Sequence, residues 1–309
     1  MILLPLLLLL DAPPQPQADK PLEETKKNIV VLKGVPTSQL IPIMTVMANS
    51  LGVPCTHCHE AAWESDAKPA KETARRMIRM TRQINDTNFG GKVVVSCNTC
   101  HRGSPRPVNV PLVANAGWNK PATAEVKPEL ASADEIFTRY QKALGTGTAN
   151  NRLMQGIATA VSGRGEPRSA TFELYQEPPR KSELKMELPY PGEANRGLAY
   201  FFDAATLRDR YANVKTIGVD TIRGRNVYVV EAEPKDGGRP ERLFFDALSG
   251  LLLRRHRETP TLVGMLPEEI DYDDYRTVDG LAVPFLVQWS RADYQVTHRV
   301  ATVKQNVTR

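Results

Sequence analysis

The chain's four cysteines fall into two five-residue strings, Cys55-Thr56-His57-Cys58-His59 and Cys97-Asn98-Thr99-Cys100-His101. Two thiols three residues apart share one helical turn, so they can add to the two vinyl groups of one porphyrin while the adjoining histidine reaches its iron. Each string is thus a covalent attachment site for haem c, and two such haems are expected. A zinc ribbon usually sets its CxxC pairs about 15–20 residues apart, whereas 38 residues lie between Cys58 and Cys97. A redox dithiol needs no histidine after the second cysteine. His57 occupies a variable position inside the first motif and reads as a solvated or packing residue, the sharper alternative being a ligand to another haem.

The elements upstream of each motif carry Met-x-x-Met. From Ser38 to Leu51, the residues Leu40, Ile43, Met44, Met47 and Leu51 form one apolar stripe at helical spacing, and Gly52 suits the C-terminal cap. Pro42 fits only within the first turn. From Pro69 to Asn85, a second helix sets Ala70, Ala74, Met77, Thr81 and Ile84 on one face, with Arg75, Arg76, Arg79 and Arg82 largely elsewhere, and Asn85-Asp86 and Gly90-Gly91 close it. Thioether sulfur is a haem ligand that raises the reduction potential. Spacing alone does not choose between Met44 and Met47, or between Met77 and Met80.

The wider chain frames these sites. Its 309 residues suggest about two domains, and 41% apolar with 24% charged residues excludes a disordered or multi-spanning protein. The net charge is +5, but residues 20–120 alone carry +7 and residues 121–309 carry none. Four propionates would offset much of that excess, and the helix arginines with Arg102 and Arg106 could pair with them or form a solvated face. No nucleic-acid partner is expected. Ile2 to Leu10 is an apolar run broken by Pro5, long enough for an export signal and too short to span a bilayer. It lacks a basic flank and a clear cleavage site. Export to the periplasm or outer cell surface, with or without membrane association, suits covalent haem. The expected divisions are a signal-like segment and linker (1–21), a dihaem cytochrome c domain (22–112), a Pro-rich linker (113–130) and an antiparallel β domain (131–309).

In the last of these, Ser132-Ala133-Asp134-Glu135 reads as a capping box opening a helix that stops at Gly145. Strands are expected from about Arg168 onward: 171–175, 182–188, 198–202, 215–220, 227–232, 242–245, 251–258, 270–275, 285–291 and 295–305. The turns fall at Arg223-Gly224-Arg225, Asp236-Gly237-Gly238, Leu248-Ser249-Gly250 and Asp279-Gly280. Asp271, Asp273 and Asp274 read as a solvated edge rather than a cation site, and His256 and His298 as surface or packing residues. The fold class is α+β, an N-terminal helical dihaem cytochrome c domain followed by a curved antiparallel sheet packed on a helix.

The segments Leu51 to His59, Ala74 to Asn85 and Cys97 to Pro105 resemble the cytochrome c subunit of photosynthetic reaction centres. The likeness covers roughly residues 25–112. It implies that each haem lies along a methionine-bearing helix, with His59 and Met44 on the first iron and His101 and Met77 on the second. Met47 and Met80, the alternative axial ligands, then become packing residues. That family binds four haems where this chain has motifs for two, and this chain has no spare cysteine for a lipid anchor and adds a C-terminal domain. The resemblance therefore supports electron transfer more than photosynthesis. Glu241 to Arg255, followed by Val278 to Pro284, resembles the sheet repeat of periplasmic lipoprotein-carrier and lipoprotein-sorting domains, which implies a half-open barrel sheltering acyl chains.

The expected function is a dihaem electron carrier rather than an enzyme, passing electrons to redox partner proteins such as a photosynthetic or respiratory membrane complex. One alternative is a dihaem peroxidase-type enzyme, which requires a displaceable sixth ligand. The other is a protein that binds an apolar or lipid ligand in its sheet, with haem as redox sensor. A large apolar cavity in the sheet would favour it and a filled core would count against it.

Overall fold

The computed structural model describes residues 19–107, 130–162, 166–177, 181–186 and 204–308. The leader-like run, most of the Pro-rich stretch and the expected strand at 198–202 lie outside the described residues.

The first part is helical, with α1 (Leu22–Thr25), α2 (Leu40–Leu51), α3 (Pro69–Phe89) and α4 (Cys97–His101). A 3-10 turn at Thr37–Gln39 leads into α2, so Pro42 falls in the first turn, where a missing N–H breaks no helical hydrogen bond. Gly52 ends α2 in the left-handed conformation, as expected. Helix α3 runs four residues past its expected end. Asn85 does not stop it, because its side-chain amide reaches across to Val94 and Val95 instead of competing for its own helical backbone. Its inward face also differs from the expected one. The buried residues are Arg75, Ile78, Thr81 and Asn85, while Ala70, Ala74, Met77 and Ile84 lie half buried along the flank.

The second part begins with α5 (Ala133–Leu144), whose capping box forms: Ser132 Oγ accepts from the Glu135 N–H (3.2 Å) and the Glu135 carboxylate from the Ser132 N–H (2.8 Å). Ten strands follow: β1 (Arg152–Ser162), β2 (Arg168–Glu177), β3 (Lys181–Met186), β4 (Tyr211–Ile222), β5 (Arg225–Pro234), β6 (Glu241–Asp246), β7 (Leu252–Thr261), β8 (Gly264–Val278), β9 (Leu281–Arg291) and β10 (Tyr294–Gln305). They form one antiparallel sheet in the order β3-β2-β1-β10-β9-β8-β7-β6-β5-β4. Strands β4 to β10 are a continuous meander, which the turns at Arg223-Gly224 and Asp279-Gly280 support with positive φ at both central residues.

Strand β1 was not among the expected strands, yet it joins β2 to β10. Its buried positions, Arg152, Met154, Ala158 and Ala160, include no β-branched or aromatic residue that would announce a strand. Ile136, Phe137, Tyr140 and Leu144 of α5 pack into the sheet face among Phe172, Tyr211, Phe245, Tyr272 and Trp289. Burying each such side chain contributes roughly 1.5–3 kcal/mol. Among the described residues α5 thus covers this face of the sheet, the expected packing of a curved antiparallel sheet on a helix.

The acidic trio is a correction too. Asp271 is buried and bound by Arg254 and Arg223, Asp273 is bound by Arg223 and Arg225, and Asp274, at φ +50°, is bound by Arg276. The trio is an arginine-paired ladder rather than a solvated edge. His298 is a fully buried core residue set edge-on to Phe172, and His256 bridges Glu269 and Glu258.

Strands β7 and β8 reach further than expected, through Pro260 and Pro267, to a tight turn at Leu262-Val263. That tip leaves the sheet's own core. Val263 and Leu266 are buried with Leu22, Leu32, Ile43, Val46, Ile78 and Cys97 in the core of the helical part.

Candidate haem-binding site

The two motifs sit at the ends of the two long helices' loops. Gly52, at φ +66°, turns the chain from α2 into a short 3-10 turn, Cys55–His57, that carries the first motif. The second motif is α4 itself, opened where the Ser96 N–H donates to Thr99 Oγ1 (3.0 Å) and closed at Arg102 in the left-handed conformation. Ahead of α4, Asn85 clamps the approaching loop: its Nδ2 donates to Val95 O (2.8 Å) and its Oδ1 accepts from the N–H groups of Val94 (3.1 Å) and Val95 (2.9 Å).

The units interlock. Gly103, just after the second motif, donates its N–H to Ser50 O in α2 (2.8 Å), and a Cβ on Gly52 would stand 2.2 Å from Gly103 O. The methionine-bearing α2 therefore lies against the second motif. Conversely, Lys68, just before α3, donates to Thr56 O inside the first motif, and Lys71 in its first turn donates to Trp63 O beside that motif. The methionine-bearing α3 thus starts against the first motif.

Each motif histidine is held the same way. His59 Nδ1 lies 3.1 Å from Trp63 O, and His101 Nδ1 lies 2.9 Å from Ser104 O. A carbonyl oxygen can only accept, so Nδ1 carries a proton in both rings, and in the neutral form of each ring the lone pair is on Nε2. That tautomer is the one a metal-ligating histidine adopts when its other nitrogen donates to a carbonyl. The Trp63 ring, 59% exposed, also lies 5.2 Å from the His59 ring.

The thiols are free, Cys55 and Cys100 exposed, Cys58 half buried and Cys97 buried. Burial pushes the thiol pKa of Cys58 and Cys97 up. Met44 and Met47 are half buried against the helical core, Met77 is half buried, and Met80 is 42% exposed. His57 is exposed. The α3 arginines are engaged within the protein: Arg75 with Asp66 and Glu72, Arg76 with Thr73, Arg79 with Glu72 and Arg82 with Val31 O. Paired thiols, imidazoles in the ligating tautomer and half-buried thioethers on the adjoining helices fit one covalently held haem per motif.

Sequence reasoning missed the roles of four residues in this arrangement: Trp63 and Ser104, which act through backbone carbonyls, Asn85, read as a helix stop, and Val263, whose carbonyl accepts from the Cys97 N–H (3.4 Å). A carbonyl leaves no signature in residue type, and Val263 arrives from a strand hairpin 166 residues further along the chain.

Residues 9–143 match the family model of the photosynthetic reaction centre cytochrome c subunit. The chain is 36% identical over 76 residues to the reaction centre cytochrome c subunit of Rubrivivax gelatinosus, covering 24% of this chain and 20% of that protein. It is 31% identical over 126 residues to that of Roseobacter denitrificans, covering 35% and 34%. With cytochrome c-554 of Chloroflexus aurantiacus it shares 35% over 86 residues, covering 25% and 20%. The chain spans about a fifth to a third of the length of these curated relatives. Among solved structures, a DUF1329 family protein from Desulfovibrio piger aligns with TM-score 0.43 and 12% identity over 57% of this chain and 92% of that one. A LolA superfamily protein from Nitrosomonas europaea aligns with TM-score 0.43 and 10% identity over 58% and 96%. No helix among the described residues is long and apolar enough to cross a membrane.

Proposed function

We propose, taking the reaction centre cytochrome c likeness of residues 9–143 as the premise, that this protein is an exported dihaem c-type cytochrome that carries electrons. The observation that carries the reading is the shared posture of His59 and His101, each with Nδ1–H donated to a carbonyl and Nε2 left to bind iron. Cys55 and Cys58 hold the first haem and Cys97 and Cys100 the second. Haem iron bound in this way takes up and releases one electron by cycling between the ferric and ferrous states. The protein's part is to fix the ligands. The carbonyls of Trp63 and Ser104 lock the imidazole tautomers, and Asn85 and Gly103 fix the backbone on either side of the second motif.

Met44 and Met77 are the sixth ligands in this reading. The half-burial of Met77 beside the exposure of Met80 supports the choice on α3; on α2, Met44 is preferred to Met47 by the family likeness alone. The domain boundaries follow the same reading, with the haem domain at 22–112 and the sheet at 131–309. The sheet positions the haem domain through the β7–β8 tip against a redox partner, such as a membrane-bound electron-transfer complex, in the periplasm or at the outer surface.

The test is a ferric and reduced optical spectrum of protein made with the haem-attachment machinery, together with haem-to-protein quantitation. Two covalent low-spin haems, with the methionine–iron charge-transfer band lost in Met44→Ala/Met77→Ala, are expected. A high-spin haem, or a band surviving both substitutions, would overturn the ligand assignment and bring peroxidase chemistry forward.

A further inference from the structure

The two histidine sites match in posture but not in surroundings. Trp63 O, which accepts from His59 Nδ1 at 3.1 Å, also accepts from Lys71 Nζ at 3.0 Å. The Lys71 ammonium is held there by Ser65 O (2.8 Å) and Asp66 Oδ1 (3.2 Å), and its side chain is only 12% exposed. Ser104 O accepts from His101 at 2.9 Å, and among the described residues no ammonium or guanidinium donates to it.

We propose that Lys71 is a positioning residue that sets the reduction potential of the haem on Cys55–His59 above that of the haem on Cys97–His101. The inference rests on the two-haem reading above. An ammonium on the Trp63 carbonyl draws on the same oxygen that holds the imidazole proton. The carbonyl becomes a poorer acceptor for His59, the ring keeps less imidazolate character, and it donates less to the iron, which favours the ferrous form. The ammonium is also a poorly solvated positive charge near a centre that gains one positive charge on oxidation, and this acts in the same direction. Asp66 opposes the effect, but its carboxylate is 51% exposed and shared with Arg75 at 2.9 Å. The outcome is an ordered pair of sites, with an electron resting on the first haem.

The experiment is a potentiometric titration of the full chain with both haems, followed optically, in wild type, Lys71→Met, Lys71→Gln and Lys71→Arg. Haem content and spin state are measured first in each. In Lys71→Met and Lys71→Gln one midpoint should fall, moving the equilibrium constant for sharing an electron between the haems by about three- to tenfold, where tenfold is 59 mV for a one-electron couple. Lys71→Arg, which keeps the cation, should stay near wild type. Repeating Lys71→Met in a Met77→His background assigns the site, because imidazole in place of thioether lowers the second haem's midpoint and the Lys71 shift must appear at the other. Midpoints that stay put, move together, or move at the haem that Met77→His marks would each overturn the role of Lys71. A haem content other than two per chain would instead overturn the dihaem reading.

Discussion

Replacing Gly52 by alanine tests the backbone approach that binds α2 to the second haem motif. Gly52 has φ +66°, which costs an L-residue roughly 1–2 kcal/mol. Its new Cβ would stand 2.2 Å from Gly103 O, where ordinary contact begins at 3.4 Å, so the backbone must part by about 1 Å. Overpacking of this kind costs about 1–3 kcal/mol, and losing the Gly103 N–H to Ser50 O hydrogen bond costs about 1 kcal/mol more. Gly34→Ala is the control, since Gly34 has φ +76° and nothing within 4 Å of its added Cβ. Gly52→Ala should therefore destabilise the helical part by about 2–4 kcal/mol beyond Gly34→Ala. The assay is urea unfolding of the haem-loaded protein followed at the Soret band, with far-ultraviolet circular dichroism reporting the sheet. Equal losses in the two variants would refute the close approach.

Asn85→Ala removes a buried amide that satisfies Val94 and Val95, and should cost about 2–4 kcal/mol by the same assay. Glu241→Gln leaves Arg255 buried beside Tyr211 without its counter-charge, a loss of about 3–5 kcal/mol in sheet stability that Glu241→Leu/Arg255→Met should largely recover. The hydrogen bond that His256 donates to Glu269 raises the pKa of His256 above 6.5 and lowers that of Glu269 below 4.5. Their pairing stabilises most between those values. It fades as pH rises through the raised His256 pKa or falls through the lowered Glu269 pKa, a decline that His256→Gln should remove from urea midpoints measured against pH. His298 acts oppositely: burial lowers its pKa to about 4, so stability falls as pH drops from 6.5 toward 4, and His298→Phe should flatten that limb.

The sequence showed best what chemistry requires of residue type. The Ser132 capping box was readable because a hydroxyl and a carboxylate three residues apart satisfy each other's backbone N–H groups, and the two CxxCH strings stood out because paired thiols with an adjoining imidazole form a compact local pattern. The sheet was readable wherever hairpin turns demanded positive φ, as at Arg223-Gly224 and Asp279-Gly280. It was not readable in β1, whose buried Arg152, Met154, Ala158 and Ala160 include no β-branched or aromatic residue, nor at the β7–β8 tip. There the turn is Leu262-Val263, with none of the usual turn residues beside it except Gly264, because the tip is buried rather than solvated. The inward face of α3 was misplaced for a similar reason: Arg75 is buried by pairing with Asp66 and Glu72, which no hydrophobic pattern can announce. The carbonyls of Trp63 and Ser104 depend on loop conformation alone.

The buried β7–β8 tip also has a bearing on how the protein is made. The Val263 carbonyl meets the Cys97 N–H and Val263 itself is 1% exposed, which leaves Cys97 only 8% exposed beneath it. A thiol must be approached to react with a porphyrin vinyl, yet the hairpin that covers it is synthesised long after the motif. If the second motif holds a haem, its attachment requires this hairpin to be absent or unseated.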